Sequence, residues 1–187
     1  MNELLKIADR VSMRRGKRTV IAIDGRCGAG KTTAAEKLAG ILDAEIIHMD
    51  DFFLPAELRS DERLAQAGGN VHYERFLEEV VAGLKSGKEF RYRRFDCTVM
   101  DYTGEIIVKN KPVVIVEGTY SLHPLYGDIY DIKVFCDIDK KEQERRLTAR
   151  EGFERYKQFR DKWIPMEETY FSTFRIPRVC DYILVNE

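Results

Sequence analysis

Two stretches of the chain are apolar almost without interruption, Thr19–Asp24 (TVIAID) and Val113–Glu117 (VVIVE). β-Branched residues dominate both and polar positions do not alternate with them, so each reads as a strand covered on both faces of a parallel sheet. Ile132–Cys136 (IKVFC) has the same character, and Ala44–His48 and Tyr182–Val185 read as shorter strands. Elsewhere the period is helical. Leu4, Leu5, Ala8 and Val11 or Ser12 recur along an amphipathic segment that ends near Gly16, and Ala35, Leu38 and Leu42 share one face of Thr32–Leu42. Lys140 to about Arg150 predicts a charged helix, and Glu167–Phe174 a shorter one. After the polar, irregular segment Met49–Gly69, Asn70 is placed to cap a helix from about Val71 to Leu84. Phe90–Val108 reads as a strand and a small hairpin broken at Asp101–Gly104. Strands alternating with helices predict an α/β fold, a doubly wound parallel sheet in a single domain over residues 1–187.

Charge narrows the partners. The chain carries 31 Lys and Arg against 32 Asp and Glu, a formal charge of -1, so no global basic field invites nucleic acid. Cys27, Cys97, Cys136 and Cys180 are widely spaced, without a CxxC pair or a histidine at metal-ligand spacing, and read as reduced thiols. Charged residues interrupt the first helix, which is no signal-peptide core, and no stretch is long and apolar enough to span a membrane. The expectation is a soluble cytoplasmic protein.

Between the first strand and the second predicted helix stands Gly25-Arg26-Cys27-Gly28-Ala29-Gly30-Lys31-Thr32, followed by Thr33, which fits G-x-x-x-x-G-K-[ST] in the strand–helix context that motif needs. Its glycines let backbone N–H groups curl around a phosphate, and the helix start directs its positive dipole end at the anion. Lys31 would reach the β- and γ-phosphates of ATP, and the Thr32 hydroxyl would bind Mg²⁺. No guanine-reading N-K-x-D string occurs. Asp50 and Asp51 follow the second strand, where ligands bind in open α/β sheets, and Asp50 is the candidate base for an acceptor hydroxyl. Asp51 reads equally as a helix cap. Glu117 ends the VVIVE strand on the same sheet edge, which suits an acid holding Mg²⁺ through water. Arg145, Arg146, Arg150, Arg155, Lys157, Arg160 and Lys162 could close a lid, Arg150 and Arg155 as transition-state cations, although interspersed glutamates also describe an ordinary solvated helix. His72, Tyr73, Arg75 and Tyr92 group aromatic and cationic character that could grip a substrate, or could be core and rim.

The set Gly25–Thr33, Asp50-Asp51-Phe52-Phe53, Val114–Gly118 and the Arg146–Lys157 segment resembles, in the same order, the uridine kinase-like family of P-loop kinases, over about Arg18 to Val185. The resemblance implies an adenylate-kinase-like three-layer fold with a central parallel sheet and a helical lid. It also implies Asp50 as catalytic acid–base, Glu117 as the Mg²⁺-associated acid, Arg150, Arg155 and Lys157 as basic lid positions, and ATP with Mg²⁺ as cofactors. The expected activity is phosphorylation of a hydroxyl on a nucleoside-like small molecule, with homo-oligomer formation left open. An ATP-binding sensor or interaction protein is the alternative. Phe53 stands where the family has tyrosine, Asn70–Arg75 only loosely follows the N-F-D-H-P helix entry, and Arg155-Tyr156-Lys157 replaces R-G-R. Pyrimidine recognition therefore does not carry over.

Overall fold

A computed structural model describes residues 3–186 except 15 and 17. Five strands form one parallel sheet in the order β2-β5-β1-β6-β7, from β1 (Thr19–Gly25), β2 (Glu45–His48), β5 (Val113–Glu117), β6 (Ile132–Ile138) and β7 (Tyr182–Asn186). Every residue of β1 and β5 is buried, as their unbroken apolar runs require of strands sandwiched between two layers. The pleat divides them. Val20, Ala22, Val114 and Val116 enter one core, and Ile21, Ile23, Val113 and Ile115 the other. Full burial of each such side chain contributes about 1.5–3 kcal/mol.

Helices α1 (Glu3–Ser12) and α2 (Lys31–Leu42) cover the second core. On α1 the buried residues are Ile7, Ala8 and Val11, while Leu5 is exposed, so the apolar stripe is rotated from the expected one. The first core is covered by the helical run 73–86, by α8 (Ile164–Thr173) and by a two-stranded antiparallel hairpin, β3 (Phe90–Asp96) with β4 (Asp101–Val108). A short helix α3 (Asp61–Leu64) lies in the long loop after β2. After β6, α6 (Lys140–Glu151) starts from Asp139, whose carboxylate accepts the Lys141 N–H at 2.8 Å. No helix among the described residues is long and apolar enough to cross a membrane.

Three boundaries differ from the expectation. The helix after the glycine pair is capped by His72, not Asn70: Val71 bridges to Phe53 and the His72 N–H bonds Phe52 O at 2.7 Å, which keeps these residues extended. His72 Nδ1 then accepts the Arg75 N–H, and α4 (Tyr73–Phe76) runs through a π segment, Leu77–Val81, into α5 (Ala82–Ser86). The hairpin turns at residues 97–100, where Asp96 Oδ1 accepts the Thr98 N–H, and Asp101–Gly104 lies within β4 opposite a bulge at Arg94/Phe95. Finally, the predicted short helix from Glu167 is the end of a helical run over 153–173, comprising α7 (Phe153–Gln158), a π segment Phe159–Trp163 and α8. Pro165 reads as a helix breaker, but the widened π turn just before it accommodates the missing N–H.

Candidate active site

The phosphate loop grows out of β1 because its first residue can only be glycine. Gly25 has φ +141°, and a Cβ there would overlap the backbone of Cys136 on β6. Gly25→Ala is expected to cost about 3 kcal/mol or more of stability, read from urea denaturation. Gly28 and Gly30 also take positive φ, and Gly30 sits at the N-cap of α2 without a capping side chain. The first-turn N–H groups of α2, from Lys31 to Thr33, thus lack an intrahelical partner and lie at the cleft.

That cleft, of about 660 Å³, is lined by Cys27, Gly28, Gly30, Lys31, Thr32 and Thr33 at its base. Asp50, Asp51, Phe53, Arg94 and Cys97 form one wall, and Arg146, Arg150, Glu151 and Arg155 the opposite one. Lys31 Nζ folds back onto Gly25 O and Arg26 O, both at 2.9 Å. Thr32 Oγ1 lies 3.2 Å from Glu117 Oε1, and the same oxygen is 2.6 Å from His48 Nδ1. Glu117 is 5% exposed. The hydrogen bond that His48 donates to Glu117 raises the His48 pKa against the opposing effect of burial.

Asp50 stands in the 3₁₀ turn Met49–Phe52 that directly continues β2. Its carboxyl is open to the cleft, yet the surrounding walls displace much of its water and raise its pKa; Lys31 and His48 oppose that, while Glu117 and Asp51 add to it. Asp51 caps no helix. It accepts the Tyr92 hydroxyl at 2.9 Å and faces Arg94 Nε at 3.4 Å.

The sequence-based set is brought together only in part. Cys27, Gly28, Gly30, Lys31, Thr32, Thr33, Asp50, Glu117, Arg150 and Arg155 line one cleft, whereas Gly25 and Ala29 do not, with Arg150 and Arg155 both paired to Glu151 at 2.8 and 3.2 Å. Arg26 points away from it, bound to Asp137 at 2.8 Å and to Glu168. The four candidate substrate residues do not line the cleft. His72 caps α4, Tyr73 stacks on His123, and Tyr92 is buried behind Asp51. Arg75 is 2% exposed and lies over the Phe52 ring, donating to Asp51 O and to Arg93 O and pairing with Glu79 at 3.2 Å. It anchors the Asp50–Asp51 turn to the hairpin.

Other residues emerge only from the fold. Asp24, fully buried at the end of β1, accepts the N–H groups of Gly25, Tyr120 and Leu122 and the Tyr170 hydroxyl. Glu167 of α8 accepts the Cys27 N–H, and Gln143 of α6 donates to the Cys27 carbonyl. Asp24 sits directly before the motif, a position at which its apolar neighbours give a hint; nothing in the sequence connects Gln143 or Glu167 to residue 27.

A possible uridine kinase from Bacillus stearothermophilus matches this fold with a TM-score of 0.74 at 17% identity, over 98% of this chain and 97% of its own. A candidate fructose transport system kinase from Silicibacter sp. TM1040 does so with a TM-score of 0.68 at 23% identity, covering 96% and 98%. YFH7 of Saccharomyces cerevisiae follows at 0.64 and 14%, covering 99% of each chain. These likenesses establish the α/β architecture of P-loop kinases. The sequence pattern of the phosphoribulokinase/uridine kinase family matches residues 20–155, a span that takes in the phosphate loop, Asp50, Glu117, Arg146, Arg150 and Arg155, and the chain belongs to that family of P-loop kinases.

Proposed function

We propose that the protein transfers the γ-phosphoryl group of Mg·ATP to a hydroxyl of a nucleoside-like small molecule. The observation that carries this reading is the convergence of Lys31, Thr32, Glu117 and Asp50 on one cleft at the C-terminal edge of adjacent parallel strands. Lys31 and the first-turn amides of α2 suit the phosphates of ATP. Thr32 and Glu117, with oxygens 3.2 Å apart, are hard oxygen donors of the kind Mg²⁺ takes. When bound, the ion would neutralise charge on the phosphate oxygens. Asp50 accepts the proton of the acceptor hydroxyl as its oxygen attacks phosphorus and ADP departs. Arg146, Arg150 and Arg155 line the cleft beside the phosphate loop, where cations offset charge on the transferring group and a closed lid excludes water as a competing acceptor. Four free thiols suit a reducing cytoplasm, where ATP is made.

The test is an assay with Mg·ATP and a panel of nucleosides, nicotinamide riboside, pantothenate and sugar phosphates, reading ADP release and product mass. A phospho-product formed by the wild type and lowered by about a hundredfold or more in Lys31→Ala is the expected result. ATP binding without acceptor-dependent turnover would instead favour a nucleotide sensor.

A further inference from the structure

The phosphate loop is gripped at one residue, Cys27, from two helices. The Cys27 N–H donates to Glu167 Oε2 at 3.0 Å, and the Cys27 carbonyl accepts from Gln143 Nε2 at 2.9 Å. Glu167 and Gln143 are 7% and 5% exposed, on α8 and α6 respectively. Leu147 of α6 and Tyr156 of α7 pack on the Cys27 side chain. The next residue back, Arg26, is held by Glu168, the neighbour of Glu167. Burying a carboxylate is costly unless its partners repay it, and burial raises the Glu167 pKa against the opposing charge of Lys31 and the Cys27 amide. An apolar residue would fill the same space at lower cost, so the carboxylate is explained by what it holds. α6 also carries Arg146 and Arg150 into the cleft, and α7, which runs on through a π segment into α8, carries Arg155.

We propose that Gln143 and Glu167 are positioning residues that fix the two peptide groups flanking Cys27, holding the phosphate loop in its nucleotide-binding shape and tying it to α6 and to the helical run 153–173, which bear Arg146, Arg150 and Arg155. This depends on the kinase reading only in taking a nucleoside triphosphate as the ligand of the loop.

The experiment is calorimetric titration of the purified full-length chain with Mg·ATP, which needs no turnover, alongside steady-state kinetics and thermal melting. Glu167→Ala is expected to weaken ATP binding about tenfold, the equivalent of one lost hydrogen bond to a charged partner. Glu167→Gln, whose side-chain carbonyl still accepts the Cys27 N–H, is expected to stay within about threefold of wild type. Gln143→Ala should weaken binding about three- to tenfold, and the double alanine variant by less than the product of the two, because both act on the backbone of one residue. The KM for ATP should rise in each alanine variant while that for the acceptor does not. Unchanged ATP affinity in folded Glu167→Ala or Gln143→Ala would overturn the proposal, as would equal losses in Glu167→Ala and Glu167→Gln. If Glu167→Ala does not fold, Gln143→Ala alone decides. A wild type that binds ATP but transfers nothing sinks the kinase reading and leaves this test intact.

Discussion

Asp50→Asn is expected to lower kcat by about a hundred- to ten-thousandfold while Mg·ATP affinity stays within about threefold of wild type. The amide keeps the size and polarity of the carboxyl but cannot take the acceptor's proton. ATP binding should survive, because the phosphate loop is built by Gly25, Gly28 and Gly30 and by the start of α2, and the Asp50 turn is anchored separately by Arg75 and its neighbour Asp51. Single-turnover phosphoryl transfer with a known acceptor, together with calorimetric ATP binding, separates the two effects. Full turnover in the variant would remove Asp50 as the base, and a loss confined to ATP affinity would make it part of the nucleotide site.

The same carboxyl sets a pH dependence. As the proposed base, Asp50 would act only when deprotonated, so the rate should fall as pH drops through its pKa. The cleft raises that pKa, so the acid limb of kcat/KM should lie above the ordinary aspartate value of about 3.9. The negative charge of Asp51 adds to the elevation, so Asp51→Asn should move the limb to lower pH. A limb that shifts upward in that variant, or does not shift at all, would assign it to another group.

The sheet was legible in the sequence because buried parallel strands have no choice of pattern: TVIAID and VVIVE must be apolar on both faces, and Glu117, which ends the second, comes out at the edge where the phosphate loop follows the first. Asp50 and Glu117 follow from that edge, as the loop glycines follow from the motif. Long-range packing decided the rest. Whether Arg75 faces a ligand or the core depends on where Phe52 and the hairpin lie, and its local surroundings, Tyr73, Glu74 and Phe76, suit either. Pro165 and Asn70 carry strong local signals, for a break and for a cap, that a π turn and a bridge between Phe53 and Val71 override. The bonds from Glu167 and Gln143 to Cys27 span 140 and 116 residues and connect elements whose facing surfaces no periodicity encodes.

Asp24→Ala is expected to lower the free energy of unfolding by about 3–5 kcal/mol, the largest loss from removing one polar side chain. The Asp24 carboxylate accepts the Gly25 N–H at 2.7 Å, the Leu122 N–H at 3.0 Å, the Tyr120 N–H at 3.2 Å and the Tyr170 hydroxyl at 2.8 Å. It thereby joins the first residue of the phosphate loop to the segment after β5 and to α8, all within a fully buried pocket. Tyr120 has φ +77°, a conformation costing about 1–3 kcal/mol that these bonds help to hold. Alanine leaves three amides and a phenol without their acceptor, each a penalty of about 1–3 kcal/mol before relaxation. Asparagine is the sharper probe, because it fills the same volume but turns an N–H₂ group toward donors. It should lose about 2–4 kcal/mol by urea denaturation, whereas a mere packing role would leave it close to wild type. Losses under about 1 kcal/mol in both variants would show that the four donors find other partners and that the loop is held in place by its glycines and by α6 and α8 alone.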